Sequence, residues 1–137
     1  MARPAVVLTV LLVLLAGCGK KASPEDQVRA AVEGYAKAFA GHDYQALCDR
    51  WFDPKVVSSL EASGLPCEAA IRPEVVGTVD PKLEIRGIEV TGTTAKVRVH
   101  STAKGQPPAD DTLALLEVKG EWRITPLGGT GPEPVVP

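Results

Sequence analysis

The sequence predicts an α+β domain in which N-terminal helices pack on a curved antiparallel sheet of about four strands. Apolar residues recur at helical spacing from Val28 to Ile71, whereas they alternate with polar residues over most of the segment from Leu83 to Ile124. Helices that precede a run of strands joined by short turns form a two-layer domain, in which the sheet covers the long first helix. The chain of 137 residues is long enough for one such domain with its own core.

The first helix is predicted over residues 24–40. Ser23 and Pro24 mark its start, because a hydroxyl can cap free backbone N–H groups and proline fits the first turn. Gly41 is expected to end the helix, since glycine accepts a left-handed conformation. One face should be buried and carries these residues at helical spacing: Val28, Ala31, Val32, Tyr35 and Phe39.

Three shorter helices are predicted before the strands. Asp43 can cap the second helix, and Asp53 followed by Pro54 repeats the capping signal for a third, which ends near Gly64. A short fourth helical turn is predicted over residues 66–72. The second helix should bury one apolar face, formed by Tyr44, Leu47, Cys48 and Trp51.

The first two predicted strands each have one buried face. In the first, which contains Leu83 and Ile85, the alternation shifts by one residue at Gly87, and this shift predicts a β-bulge. In the second, residues 95–100 alternate regularly between apolar and polar side chains, as in an antiparallel strand.

The last two strands follow a polar loop that is predicted over residues 104–111. A third strand is predicted over residues 112–118. Lys119 and Gly120 turn the chain into the fourth strand, in which Trp122 and Ile124 should point into the core.

The N-terminal residues have the composition of a secretory signal peptide. Arg3 is the only charged residue in this segment, and residues 5–17 are apolar apart from Thr9. As a helix this run would span roughly 20 Å, which is shorter than the bilayer core of about 30 Å. A cleaved signal peptide over residues 1–17 is therefore predicted rather than a transmembrane helix.

The end of this segment, Leu15-Ala16-Gly17-Cys18, resembles the bacterial lipoprotein signal, the lipobox, in all four positions. The resemblance implies that Cys18 receives a diacylglyceryl thioether and becomes the mature N-terminus after cleavage behind Gly17. It predicts a protein of the cell membrane, held by its lipid, with the domain on the extracytoplasmic side. An ordinary secreted protein with an incidental Cys18 is the alternative.

The predicted organisation has four parts. The signal peptide occupies residues 1–17, the lipidated N-terminus and spacer residues 18–22, and the α+β domain residues 23–127. Residues 128–137 contain glycine and proline with little apolar surface to bury, so a disordered tail is predicted there.

Cys48 and Cys67 remain to form a disulfide if Cys18 is lipidated. Disulfides persist outside the cytoplasm, and this one would close a loop of about 20 residues. Two buried free thiols, or half of a metal site, are the alternatives. A metal site is disfavoured, because neither cysteine lies in a CxxC pair and the chain has 2 histidines. No metal and no cofactor is predicted.

Three segments resemble the nuclear transport factor two-like, or cystatin-like, superfamily. They are Tyr35-Ala36-Lys37-Ala38-Phe39, the break Gly41-His42-Asp43-Tyr44, and the closing strand Gly120-Glu121-Trp122-Arg123-Ile124. The resemblance covers roughly residues 23–127, nearly the whole mature domain, and is greatest to small actinobacterial lipoproteins in which a cysteine pair joins the helical region. It implies a cone between sheet and helices that serves as an enzyme active site or an apolar pocket. The usual strand between the second and third helices has no counterpart in this sequence.

The aromatic residues are the candidates for such a pocket. Five of the six lie between Tyr35 and Phe52, and the sixth is Trp122. The residues predicted to line an apolar cavity are Tyr35, Phe39, Trp51 and Trp122. The alternative is that they form only the core of a small domain.

No catalytic residues are predicted. His42 next to Asp43 is the most suggestive pair, but Asp43 is explained more simply as a helix cap, and no nucleophile elbow or phosphate-binding glycine pattern occurs. A formal net charge of −2 with scattered basic residues disfavours a nucleic-acid binder.

The leading prediction is a non-catalytic envelope lipoprotein whose domain binds a small apolar ligand or an envelope protein. One alternative is an isomerase- or dehydratase-like enzyme that uses His42, Asp43 or another carboxylate in the cone. The other is a purely structural interaction module.

Overall fold

The computed structural model describes residues 19–125, which form four helices and a four-stranded sheet. The helical half comprises α1 (Pro24–Ala40), α2 (Tyr44–Ala46) with a π-helical turn (Leu47–Trp51), α3 (Pro54–Glu61) and α4 (Cys67–Gly77). The sheet comprises β1 (Lys82–Thr91), β2 (Thr94–Thr102), β3 (Ala109–Val118) and β4 (Glu121–Thr125). The predicted α+β fold class is confirmed.

The predicted signal peptide, Cys18 and the tail from residue 128 lie outside the described residues. The predicted domain boundaries therefore stay predictions. Within residues 19–125, no helix has both the length and the apolar character needed to cross a bilayer.

The first helix has the predicted bounds, and its start is capped as expected. The Ser23 hydroxyl accepts a hydrogen bond from the backbone N–H of Asp26 at 3.1 Å. At the other end, Gly41 has a φ of −84° and does not adopt the expected left-handed conformation. The next residue, His42, adopts it instead with a φ of 55°. His42 can do so because the turn is closed around it, by a hydrogen bond from Asp43 N–H to the Ala38 carbonyl at 2.9 Å.

The second helix begins at the predicted cap and then widens. The Asp43 carboxylate accepts a hydrogen bond from the Ala46 backbone N–H at 3.0 Å. The following turn is π-helical, with Phe52 N–H bonded to the Leu47 carbonyl at 2.9 Å. Leu47 and Cys48 are buried by this turn.

The fourth helix is longer than predicted. It continues from Cys67 to Gly77 and passes through Pro73, although proline lacks a backbone donor and disfavours a helix interior. Ile71 and Val75 are buried on either side of the proline, in the helical core. Burial of these side chains outweighs the lost hydrogen bond. Because this burial depends on contacts with distant residues, the local sequence did not predict the true end of the helix.

The sheet is antiparallel throughout, with strand order β1-β2-β3-β4. The register of β1 against β2 shifts between Ile85 and Gly87, so the predicted bulge is present. β3 begins at Ala109, so the prediction of a loop through residue 111 was wrong. Asp111 pairs with Val99 of β2, and pairing with a formed strand overrides the low strand preference of aspartate.

Two apolar clusters hold the domain together. One joins α1 to the sheet and includes Val32, Val97, Leu115 and Trp122. The other lies among the helices around Cys48 and Cys67. The sequence has no counterpart of the strand that the superfamily usually has between the second and third helices. At this place in the structure, one parallel bridge joins Phe52 to Ile124.

Candidate functional site

A cavity of about 360 Å³ lies at one end of the domain, between the second half of α1, the end of α4 and the sheet. Its sheet wall is formed where β1 and β3 begin and β2 ends. The apolar part of its lining consists of Tyr35, Ala36, Phe39, Leu83, Val99 and Leu113.

Two carboxylates line this cavity from different elements. Asp111 reaches it from β3 and lies on the same face as Leu113, because side chains two residues apart share a face of a strand. Glu74 reaches it from α4, on the helical wall. Neither carboxylate forms an ion pair with any residue between 19 and 125.

Tyr35 lines the cavity and packs against two other aromatic rings. Its ring centroid lies 6.1 Å from that of Phe39 and 6.1 Å from that of Phe52. Burial raises the pKa of the Tyr35 hydroxyl, and the negative charge of Glu74 raises it further. The hydroxyl is therefore a neutral hydrogen-bond donor in the physiological range.

A shallower groove of about 600 Å³ adjoins the cavity. The two share Thr78, Pro81 and Lys82, so the groove continues the cavity across the connection from α4 to β1. Val76 and Val79 line the groove with 54% and 49% of their surface exposed.

Two of the four predicted lining residues, Tyr35 and Phe39, line the cavity. Trp51 does not line it; its ring packs against Gly34 on α1, where a β-carbon would overlap it. Trp122 does not line it either, since it is buried between α1 and the sheet at 6% exposure. Trp122 belongs to the core and Trp51 packs against it, as the alternative interpretation of the aromatic residues expects.

His42 and Asp43 are not brought together in the cavity. Asp43 caps α2, while His42 lines the adjoining groove. The ring of His42 stacks on that of Tyr44, with centroids 6.2 Å apart and an interplanar angle of 21°. The guanidinium carbon of Arg72 lies 4.5 Å from the centroid of the Tyr44 ring.

The Cys48–Cys67 disulfide is formed, with 6.1 Å between the two Cα atoms. It joins the π-helical turn to the first residue of α4, the helix that carries Glu74. Both cysteines are buried in the helical core. Among residues 19–125, no group of three or more histidine, cysteine, aspartate or glutamate side chains is placed to hold a metal ion.

Glu74 and Asp111 were missed by the sequence reasoning for a common reason. The end of α4 was predicted too early, so Glu74 falls after it. The start of β3 was predicted too late, so Asp111 falls before it. No local signal marks Asp111, because residues 113–116 are all apolar and the sequence does not show which face of β3 is inward.

No protein-family model matches the chain, and no curated protein matches it. Solved structures do resemble its fold. An NTF2-like protein of unknown function from Silicibacter pomeroyi is similar with a TM-score of 0.53 and 23% identity, over 72% of this chain and 87% of that one. A de novo designed NTF2-fold protein is similar with a TM-score of 0.52 and 18% identity, over 76% of this chain and 85% of that one. The domain therefore has an NTF2-like fold.

Proposed function

We propose that this protein is a lipid-anchored envelope protein whose domain binds a small, largely apolar molecule in the cavity between α1, α4 and the sheet. One observation carries the proposal: the cavity of about 360 Å³ combines an apolar lining with a few convergent polar groups. Small-molecule sites commonly have volumes of roughly 300–1,000 Å³ and this kind of lining.

Two features support a place outside the cytoplasm. Leu15-Ala16-Gly17-Cys18 resembles a lipobox and follows a segment that is typical of a signal peptide. The Cys48–Cys67 disulfide favours an oxidising compartment, because such bonds are rare in the cytosol of most organisms.

The proposal is tested by filling the cavity. Ala36 lines it, so Ala36→Trp should occupy its volume, whereas Ala30→Trp makes the same change on an exposed position of the same helix. We expect the neutral dye Nile red to bind the wild type and Ala30→Trp, with loss of binding in Ala36→Trp, as followed by dye fluorescence. Equal binding by both variants would place the dye elsewhere and refute the cavity as the site.

A proton-transfer enzyme is the second candidate, and one observation favours it. The cavity lining includes Tyr35, whose hydroxyl is neutral, and Glu74, whose charge raises the pKa of that hydroxyl. A hydroxyl that donates to a carbonyl and a carboxylate that removes a neighbouring proton are the groups such a reaction needs. Deuterium incorporation into α-tetralone in D₂O, followed by NMR, should then be faster with the wild type than with Glu74→Gln. Equal rates would reject this candidate and leave the binding proposal intact.

A further inference from the structure

We infer that the ligand of this cavity carries a positive charge, as an amine or a quaternary ammonium group, on an apolar body. This inference rests on the proposed function and names the chemical class of the ligand. Its basis is the pairing of two carboxylates with two aromatic rings in one partly enclosed cavity.

The carboxylates have no internal partner to neutralise them. Glu74 lies on the helical wall and Asp111 on the sheet wall, and neither is within ion-pair distance of a basic group among the described residues. A cation that enters between the two walls would interact with both. Both carboxylates are exposed to solvent, so a bound cation would interact with them as charges do near a protein surface, which is still more strongly than in bulk water.

Lys82 is the only basic residue among those that line the cavity in the described part of the chain, and it also lines the adjoining groove. Lys82 is exposed and pairs with Thr102 at the end of β1. Even with its charge counted, the lining keeps an excess of one carboxylate.

The aromatic wall favours the same class of ligand. The rings of Tyr35 and Phe39 both line the cavity, and their planes are inclined by 53°. Aromatic faces attract cations, and such rings are the usual walls of sites for quaternary ammonium groups.

The raised pKa of Tyr35 indicates a negative electrostatic potential at this part of the cavity. After burial, the charge of Glu74 is the second cause that raises the pKa of its hydroxyl. A field that disfavours a tyrosinate also disfavours the carboxylate or sulfonate of an anionic ligand, and it favours a cation. Discrimination between ligands of one shape would thus arise partly from repulsion of the wrong charge.

The test compares three probes with the same alkyl chain and different head groups: octyltrimethylammonium, octanol and octanesulfonate. Binding to the purified, oxidised protein is measured by isothermal titration calorimetry below the concentrations at which the probes form micelles. We expect the ammonium probe to bind about tenfold more tightly than octanol, which corresponds to the gain of one favourable charge interaction. Octanesulfonate should bind most weakly.

Three variants assign the charge preference to the cavity. Asp111→Asn and Glu74→Gln should each reduce the affinity for the ammonium probe several-fold and leave that for octanol unchanged. Asp110→Asn is the matched control, because Asp110 is adjacent in β3 but contacts His100 on the opposite face, at 2.7 Å. It should leave all three affinities unchanged, and thermal unfolding of each variant shows that it is folded.

Each remaining outcome overturns one of the two proposals. Equal affinities for the ammonium probe and octanol, or tighter binding of the sulfonate, would overturn the inferred charge and keep the cavity as a binding site. An ammonium preference that persists in both Asp111→Asn and Glu74→Gln would also overturn the inferred charge. Undiminished binding of the probes by Ala36→Trp would refute the cavity as the binding site. If none of the three probes binds, the proposed binding function itself fails.

Discussion

Gly34 lies near the middle of α1, where its missing side chain leaves space for the ring of Trp51. The guanidinium carbon of Arg50 lies 4.9 Å from the centroid of the same ring. A glycine within a helix lowers helix stability. At this position the cost accompanies a close contact between α1 and the π-helical turn. That contact helps to place the turn against α1, next to the cavity wall formed by Tyr35.

Gly34→Ala should destabilise the domain. A β-carbon at this position would overlap the indole ring, and overpacking of this kind costs about 1–3 kcal/mol, more than the roughly 0.5–1 kcal/mol that alanine contributes in a helix. Gly77→Ala is the matched control in α4, where a β-carbon meets no atom within 4 Å. Urea unfolding should show a loss for the first variant and no loss for the second; equal stabilities would mean that Trp51 moves aside at little cost.

Tyr35 should titrate at higher pH than an ordinary tyrosine. Burial and the charge of Glu74 both raise its pKa, so the neutral phenol is favoured in the folded state. The resulting stability is fully present below the ordinary pKa of about 10, and it is lost as pH rises through the raised value. The absorbance of tyrosinate measures this directly in Tyr44→Phe, in which Tyr35 is the remaining tyrosine of the 2.

The control for this titration is Glu74→Gln in the same background. It should lower the pKa of Tyr35 only in part, because burial is the larger cause and remains. A pKa of Tyr35 at or below the ordinary value would contradict the arrangement of the cavity described above.

At the scale of elements, the disulfide and α4 act together. The bond attaches the first residue of α4 to the π-helical turn, and α4 in turn carries Glu74 into the cavity wall and is followed there by Thr78. Ile71 and Val75 hold the same helix against the core across Pro73. The position of the helical wall therefore depends on a covalent bond and on a small buried surface.

Removal of the disulfide should weaken both the fold and the cavity. The two cysteines are 19 residues apart, and loss of a bond that closes such a loop typically costs about 2–4 kcal/mol. The double variant Cys48→Ala/Cys67→Ala should lose this much in urea unfolding and should bind Nile red less tightly. The reduced wild type is the control. A variant as stable as the oxidised wild type would show that packing alone holds α4 in place.

At the scale of the whole molecule, the helices and the sheet enclose a core at one end and a cavity at the other. The larger cluster fills the space between α1 and the sheet with Val32, Val97 and Leu115. Toward the beginning of β3 this packing gives way to the cavity, which the exposed Asp111 lines on the same face as Leu113. The domain thus combines a closed core with a cavity that opens to solvent, which is what the proposed binding function requires.

Cys18→Ser should release the protein from the membrane. If Cys18 carries a lipid, labelled palmitate should be incorporated into the wild type expressed in a bacterial host and not into the variant. Cys48→Ala is the control, because it also removes one thiol and should remain labelled. Equal labelling of wild type and Cys18→Ser would exclude Cys18 as the lipidated residue, and an unlabelled wild type would favour an ordinary secreted protein.

Local signals were sufficient for most of the elements. The caps at Ser23 and Asp43 and the bulge before Gly87 are properties of a few neighbouring residues, and all three are present in the structure. The order of helices and strands likewise follows from periodicity, which is why the fold class was predicted. The pairing of Cys48 with Cys67 was expected from the supply of cysteines in an oxidising compartment.

The composition of the cavity was decided by tertiary structure. Its lining combines α1, α4 and three strands, so membership depends on contacts between segments far apart in the chain. The sequence identified Tyr35 and Phe39 through their face of α1, but the same aromatic character could not separate them from Trp51 and Trp122, which pack in the core. Glu74 and Asp111 could be recognised as lining residues only from the structure. There, burial of Ile71 and Val75 extends α4 past Pro73, and pairing with β2 makes β3 begin at Ala109. Periodicity and capping are local properties, whereas a cavity is what remains between elements after they have packed.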